Sequence, residues 1–212
     1  EPFNFYLQKP PQGGPQYPYK AGKGDYVRSA LKTGLEIEQI QGANPFKFGL
    51  IGSTDSHTGI SSAAEPYFWA KVSQFSPLSN KRRNGEESRD VFNDWNMSAS
   101  GLAAVWAHDN TRKEVVAAFK RRETYATTGP RIRVRVFAGW EFDDEDAEQK
   151  DIATIGYLKG VPMGGDLTNA PEGAVLQLLI RAVRGPWDHN LDRAQVIKGW
   201  LDSFGQAQEK VF

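Results

Sequence analysis

The chain has 212 residues, 39% of them apolar, with 26 Lys plus Arg against 26 Asp plus Glu. Such a chain is long and apolar enough for a packed core in one or two domains, and a net charge of zero removes any global field toward nucleic acid or an anionic membrane. The absence of cysteine excludes disulfides and thiolate chemistry while fitting the cytoplasm as well as the periplasm, and no apolar run approaches the roughly 20 residues of a membrane span.

Residues 2–23 interleave prolines and glycines with Phe3, Phe5, Tyr6, Tyr17 and Tyr19, which blocks regular helix and predicts an irregular arm packed by aromatics. From Asp25 the pattern turns helical: Val27, Ala30, Leu31, Leu35 and Ile37 recur at helix spacing, Asp25 is the expected N-cap, and Gly42 with Asn44-Pro45 ends the run.

The helix feeds into Phe48-Gly49-Leu50-Ile51, read as a buried strand, and then into Gly52-Ser53-Thr54-Asp55-Ser56-His57-Thr58-Gly59. A carboxylate and an imidazole two residues apart, just past the end of a strand, can be aimed at one point, where α/β folds place their chemistry. Carboxylate oxygen and imidazole nitrogen are ligands for zinc, manganese or iron. Asp55 and His57 are therefore candidate metal ligands, the alternative being a turn cap beside a solvated histidine.

Residues 72–100 hold no period and carry Lys81-Arg82-Arg83-Asn84-Gly85-Glu86-Glu87, a long loop read either as a lid or as a solvated insertion. Residues 101–107 read as a second buried strand. Thr111-Arg112-Lys113-Glu114 is a capping-box signature for a helix carrying Val115, Val116 and Phe119, which runs out in Lys120-Arg121-Arg122 and is stopped by Thr127-Thr128-Gly129-Pro130. Two helix-and-strand units predict an α/β layer or barrel with covered strands. Near the end of this helix, Arg121, Arg122, Tyr125, Thr127 and Thr128 offer guanidinium, phenol and hydroxyl groups for phosphate oxygens, against the plainer reading of a helix stop.

After Pro130 the pattern is that of β structure. Residues 131–136 alternate strictly, packing Ile132, Val134 and Val136 on one face and displaying three arginines on the other. Residues 175–183 form a further strand, and 195–201 with 208–212 read as a hairpin turning through Gly205. These patterns divide the chain into 1–129, an α/β part, and 130–212, an antiparallel sandwich-like β domain. The acidic run at 141–151 lacks the glycine and terminal glutamate of a calcium loop and reads as a solvated connection. Met163 is assigned to the core, and Trp140, Trp187 and Trp200 to core packing or, alternatively, to a sugar or partner patch. His108 and His189 are each adjacent to an aspartate; neighbouring side chains of an extended segment point apart, so both are weak candidates for a site. No basic, aromatic-interleaved stretch marks a nucleic-acid surface.

Residues 44–59, 99–107, Asn110-Thr111-Arg112, 121–132, Pro162-Met163-Gly164-Gly165-Asp166-Leu167 and Ile197-Lys198-Gly199-Trp200 together resemble the carboxyl-terminal part of a bacterial domain-of-unknown-function family related to the PHP (polymerase and histidinol phosphatase) superfamily. The resemblance implies the last part of a distorted (β/α) barrel that binds divalent metals at its strand ends and hydrolyses phosphoesters, with Asp55 and His57 among the ligands. The earlier H-x-H motif of that superfamily does not occur here, so the expectation is a piece of a longer polypeptide. Its upstream part would complete a divalent metal site that is incomplete in this chain, for a small-molecule ester substrate. The alternative is a non-catalytic module that binds a partner or glycan and supports an upstream domain.

Overall fold

The structure, a computed structural model, describes Gly24, residues 26–54, Ser56 and residues 101–212. The aromatic arm, Asp25, Asp55, His57 and the polar stretch 72–100 lie outside the described residues. The chain forms two compact units. Among the described residues, one contains Gly24, 26–47, Thr54, Ser56 and 195–212, and the other Phe48–Ser53 with Gly101–Ala194.

In the first unit, helix α1 (Val27–Gln41) starts at Tyr26, an N-cap without a side-chain hydrogen bond, one residue later than the sequence predicts. It ends as expected at Gly42, whose φ of 75° is left-handed and whose N–H bonds the Glu38 carbonyl at 2.8 Å, a conformation that glycine adopts without a Cβ clash. The predicted hairpin is present. Strands β6 (Ile197–Leu201) and β7 (Ala207–Val211) pair antiparallel. The Asp202 carboxylate fixes their turn by accepting the backbone N–H groups of Phe204 and Gln206 at 2.9 and 3.0 Å. The helix meets the hairpin through charge: Glu209 accepts from Arg28 and Lys32 at 2.6 and 3.0 Å, and Glu36 accepts the Ala207 N–H at 3.1 Å.

In the second unit, β1 (Leu102–Val105), α2 (Arg112–Arg121) and β2 (Thr124–Thr127) follow one another. Thr111 caps α2 as predicted, its hydroxyl accepting the Glu114 N–H at 3.3 Å. The helix ends where its basic last turn predicts, with Arg122 at a left-handed φ of 60°, but Tyr125 to Thr127, read as part of the helix stop, belong to strand β2. Strands β1 and β2 run antiparallel, with Leu102 opposite Thr127 and Val105 opposite Thr124. Hydrophobic spacing locates a strand but carries no information about its pairing direction, so the parallel layer expected from the strand-and-helix rhythm does not follow. Among the described residues no barrel closes; the fold is mixed α/β with small antiparallel sheets.

The buried strand expected at 48–51 is also corrected. The segment joins no ladder, and Phe48, Leu50 and Ile51 are 45%, 43% and 58% exposed. Its glycines face the protein instead. A Cβ at Gly52 would lie 2.8 Å from the Leu102 carbonyl oxygen and 3.0 Å from that of Thr127, and the Thr124 hydroxyl donates to the Leu50 carbonyl at 3.1 Å. The absence of side chains at Gly49, where a Cβ would stand 3.1 Å from the Thr124 hydroxyl, and at Gly52 lets the backbone lie against β1 and β2.

Strand β3 (Arg133–Gly139) is the centre of a three-stranded antiparallel sheet between β4 (Gly160–Pro162) and β5 (Gln177–Val183). Two short helices, α3 (Asp144–Glu148) and α4 (Ile152–Lys159), cover it, where a sandwich would place a second sheet. The core is Phe137, Phe142, Ile152 and Leu179. The acidic run connects β3 to β4 with every acidic residue but Asp146 exposed, as expected, and it is locally ordered: Asp143 and Asp146 form a reciprocal capping box on α3. Asp146 is 5% exposed and binds the Lys159 ammonium at 2.8 Å. That ammonium, more than any other group, holds the Asp146 carboxyl below the usual aspartate range.

Candidate functional site

The candidate metal turn begins where segment 48–53 leaves the end of the β1–β2 pair. Gly101 is as close to that segment as Gly52 is to the strands, since a Cβ on Gly101 would stand 2.7 Å from the Ser53 carbonyl oxygen. At the same strand end Thr127 is 8% exposed, and its Oγ1 is buried without a hydrogen-bond partner. Buried hydroxyls are normally satisfied, and among the described residues this one is not. Thr128 beside it is exposed, and Tyr125, half-buried, sits opposite Ala104.

The two arginines proposed for phosphate contact separate. Arg122 packs its backbone under Gly49 and Gly164, and its guanidinium donates to Asp166 at 3.2 Å. Arg121 turns the other way, donating through Nε to Glu123 at 3.1 Å and through Nη2 to the Trp106 carbonyl at 3.4 Å. His108 and His189 are exposed, and among the described residues no group of three or more His, Cys, Asp or Glu side chains could hold a metal ion.

Sequence reasoning missed the most buried polar group of this unit. Glu123 has no exposed surface, although it stands in the run Lys120-Arg121-Arg122-Glu123. Besides Arg121 it accepts from Arg135 Nη2 at 3.4 Å and from the Tyr157 hydroxyl. Arg135 also donates to that hydroxyl at 3.0 Å. Partial burial first, and then the hydrogen bond to Glu123, push the Tyr157 phenol above its ordinary value, so it remains a proton donor to the carboxylate.

Arg135 belongs to the alternating arginine face expected to be displayed to solvent, yet its side chain is only 16% exposed. The guanidinium carbon lies 4.3 Å from the Trp106 ring centroid and within 5.2 and 5.4 Å of those of Phe137 and Tyr157, a stack that suits a planar, weakly hydrated cation. Trp106 is itself fixed, its indole N–H donating to the Val134 carbonyl at 3.0 Å. The one sequence signal for this cluster is the strict arginine alternation at 131–135. The tryptophans assigned to the core differ from one another: Trp140 bonds the Thr168 carbonyl at 3.4 Å, whereas Trp187 is 97% exposed and Trp200 37%. Met163 is half-buried, its N–H on the Val136 carbonyl.

A family model described as "Protein of unknown function (DUF3604)" matches residues 3–212. No curated protein and no solved structure matches the chain.

Proposed function

The chain belongs to the DUF3604 family of proteins of unknown function, and on that premise we propose that it is part of a metal-dependent hydrolase acting on phosphoesters, with Asp55 and His57 as two of the ligands. In this reading it is the last part of a PHP-like barrel, and other parts of the same polypeptide supply the remaining ligands. One observation carries the proposal. The segment that runs into the D-x-H turn is held against β1 and β2 by the close approach of Gly52 and Gly101, beside the unpartnered Thr127 hydroxyl. The donor types fit a divalent cation, Asp55 offering an anionic oxygen and His57 a neutral nitrogen. Such a cation lowers the pKa of a bound water from about 15.7 toward about 7. Of the arginines offered for phosphate contact, Arg122 is engaged by Asp166 and Arg121 by Glu123.

The test is metal content and turnover of a chromogenic phosphodiester by the full-length protein. Asp55→Asn and His57→Ala should each lower bound metal and turnover by well over tenfold, because even residues that only support a ligand are worth about 10–100-fold, and both variants should keep their circular dichroism spectrum. Unchanged turnover in both variants rejects the assignment. A second reading, a glycan- or partner-binding module, is favoured by the 97% exposure of Trp187; metal-free protein whose glycan affinity is lost on Trp187→Ala would establish it instead.

A further inference from the structure

The odd-numbered face of β3 and its partners on β5 carry an arrangement that packing does not explain. Arg135 stands directly opposite Arg181, and Arg133 opposite Val183. Like charges directly opposite on a sheet repel. They line a cavity of about 400 Å³ with Trp106, Lys150, Asp151, Ile152, Ala153 and Val183, within the size range of small-molecule sites. Four cationic side chains thus face one carboxylate. Asp151, whose oxygens accept from the Ala153 N–H at 3.0 Å and the Thr154 hydroxyl at 2.7 Å, offsets one of the four charges and leaves a cationic excess.

Structural roles account for two of the four cations. Arg181 ties down the α3–α4 link by donating to the carbonyls of Lys150, Ala147 and Gln149 at 2.6–3.0 Å. Arg135 serves Glu123 and the aromatic stack, but its Nε is buried and has no partner, an unsatisfied donor on a charged group in a low-dielectric wall. Among the described residues, the side chains of Arg133 and Lys150 make no hydrogen bond or ion pair, and both are exposed. The sheet and the α3–α4 link therefore present two exposed cations, Arg133 and Lys150, to one cavity, whose remaining wall is Trp106, Ile152, Ala153 and Val183.

We propose that this cavity is a binding site for a small organic oxyanion, a phosphate or sulfate ester of roughly monosaccharide size. Its anionic group takes the charges of Arg133 and Lys150, and its ring lies along the Trp106 and Val183 wall. Guanidinium groups match the several acceptor oxygens of such an anion. The proposal is independent of the metal turn and lies wholly within one compact unit.

Isothermal titration calorimetry of the whole chain against inorganic phosphate, inorganic sulfate, glucose 6-phosphate and glucose tests it. Glucose 6-phosphate should bind, more weakly as salt rises, and glucose should not; the stronger of phosphate and sulfate assigns the ester class. The double variant Arg133→Gln/Lys150→Gln changes only exposed side chains and should weaken glucose 6-phosphate by at least about tenfold, the loss expected for charge-assisted hydrogen bonds. Asp55→Asn should bind as the unaltered chain does, which separates this site from the hydrolase reading. Absence of glucose 6-phosphate binding, or equal affinity in the double variant, would overturn the proposal.

Discussion

Glu123 and Glu209 each accept from two cationic side chains, yet they sit in opposite surroundings. Glu123, held by Arg121 and Arg135, has a side chain 1% exposed; Glu209, held by Arg28 and Lys32, is 29% exposed on a hairpin. A carboxylate removed from water depends wholly on its protein partners, because the cost of burying charge is recovered only when every lone pair is used. One that keeps water has an alternative solvent for its charge. The unit with the buried acid also holds, among the described residues, an unsatisfied cationic donor and a cavity, while in the other the carboxylate joins α1 to the hairpin. Buried polar groups mark where a fold gives up stability to hold chemistry in place, and surface pairs mark where it fastens elements together.

The largest effect expected on breaking this contrast is at Glu123. Glu123→Ala leaves Arg135 and the Tyr157 hydroxyl without their acceptor in a wall of aromatic rings, and should destabilise the protein by about 3–5 kcal/mol, the range for removing one partner of a buried pair. Urea unfolding measures it. A loss below about 1 kcal/mol, as for an exposed pair, would show that water reaches the cluster. Next in size is Gly156→Ala. A Cβ at that point of α4 would overlap the Phe137 ring, so the helix must lift from the sheet, at a cost of about 1–3 kcal/mol for overpacking. If the variant matched the unaltered chain in the same assay, the helix–sheet interface would be looser than the fold implies.

Local features were legible in the residues and long-range ones were not. Thr111 as a cap, Gly42 as a helix end and the Gly205 hairpin follow from chemistry within a few residues, and the structure has all three. Glu123 reads as one charge in a polar run because its burial is created by Trp106 on the chain beyond β1, Arg135 on β3 and Tyr157 on α4, none of them near it in sequence. The alternation at 131–136 gave the strand and the exposure of Arg131 and Arg133 correctly, but it also assigned Arg135 to solvent because period 2 defines two faces without saying which part of one α4 will cover. At 48–52 the apolar residues suggested burial, whereas the glycines between them make the close contacts. Asp55 and His57 lie outside the described residues, and the fold shows only the segment at 48–54 that precedes them.

The smallest effect belongs to Glu209, where pH and salt supply the sharper measurement. The hydrogen bonds from Arg28 first, and then from Lys32, hold its carboxyl below the ordinary glutamate value of about 4.5. A carboxyl depressed in the folded state contributes stability that is fully present above the unfolded value and is lost as pH falls through the folded one. The difference in thermal midpoint between the unaltered chain and Glu209→Gln should therefore be small and constant above about pH 5, and should shrink toward zero in more acid solution. It should also shrink with added salt at neutral pH, because surface charges are screened over about 8–10 Å at physiological ionic strength. Glu123→Ala should keep its larger deficit under the same salt titration. If the two variants responded alike to salt, burial would not distinguish the two carboxylates.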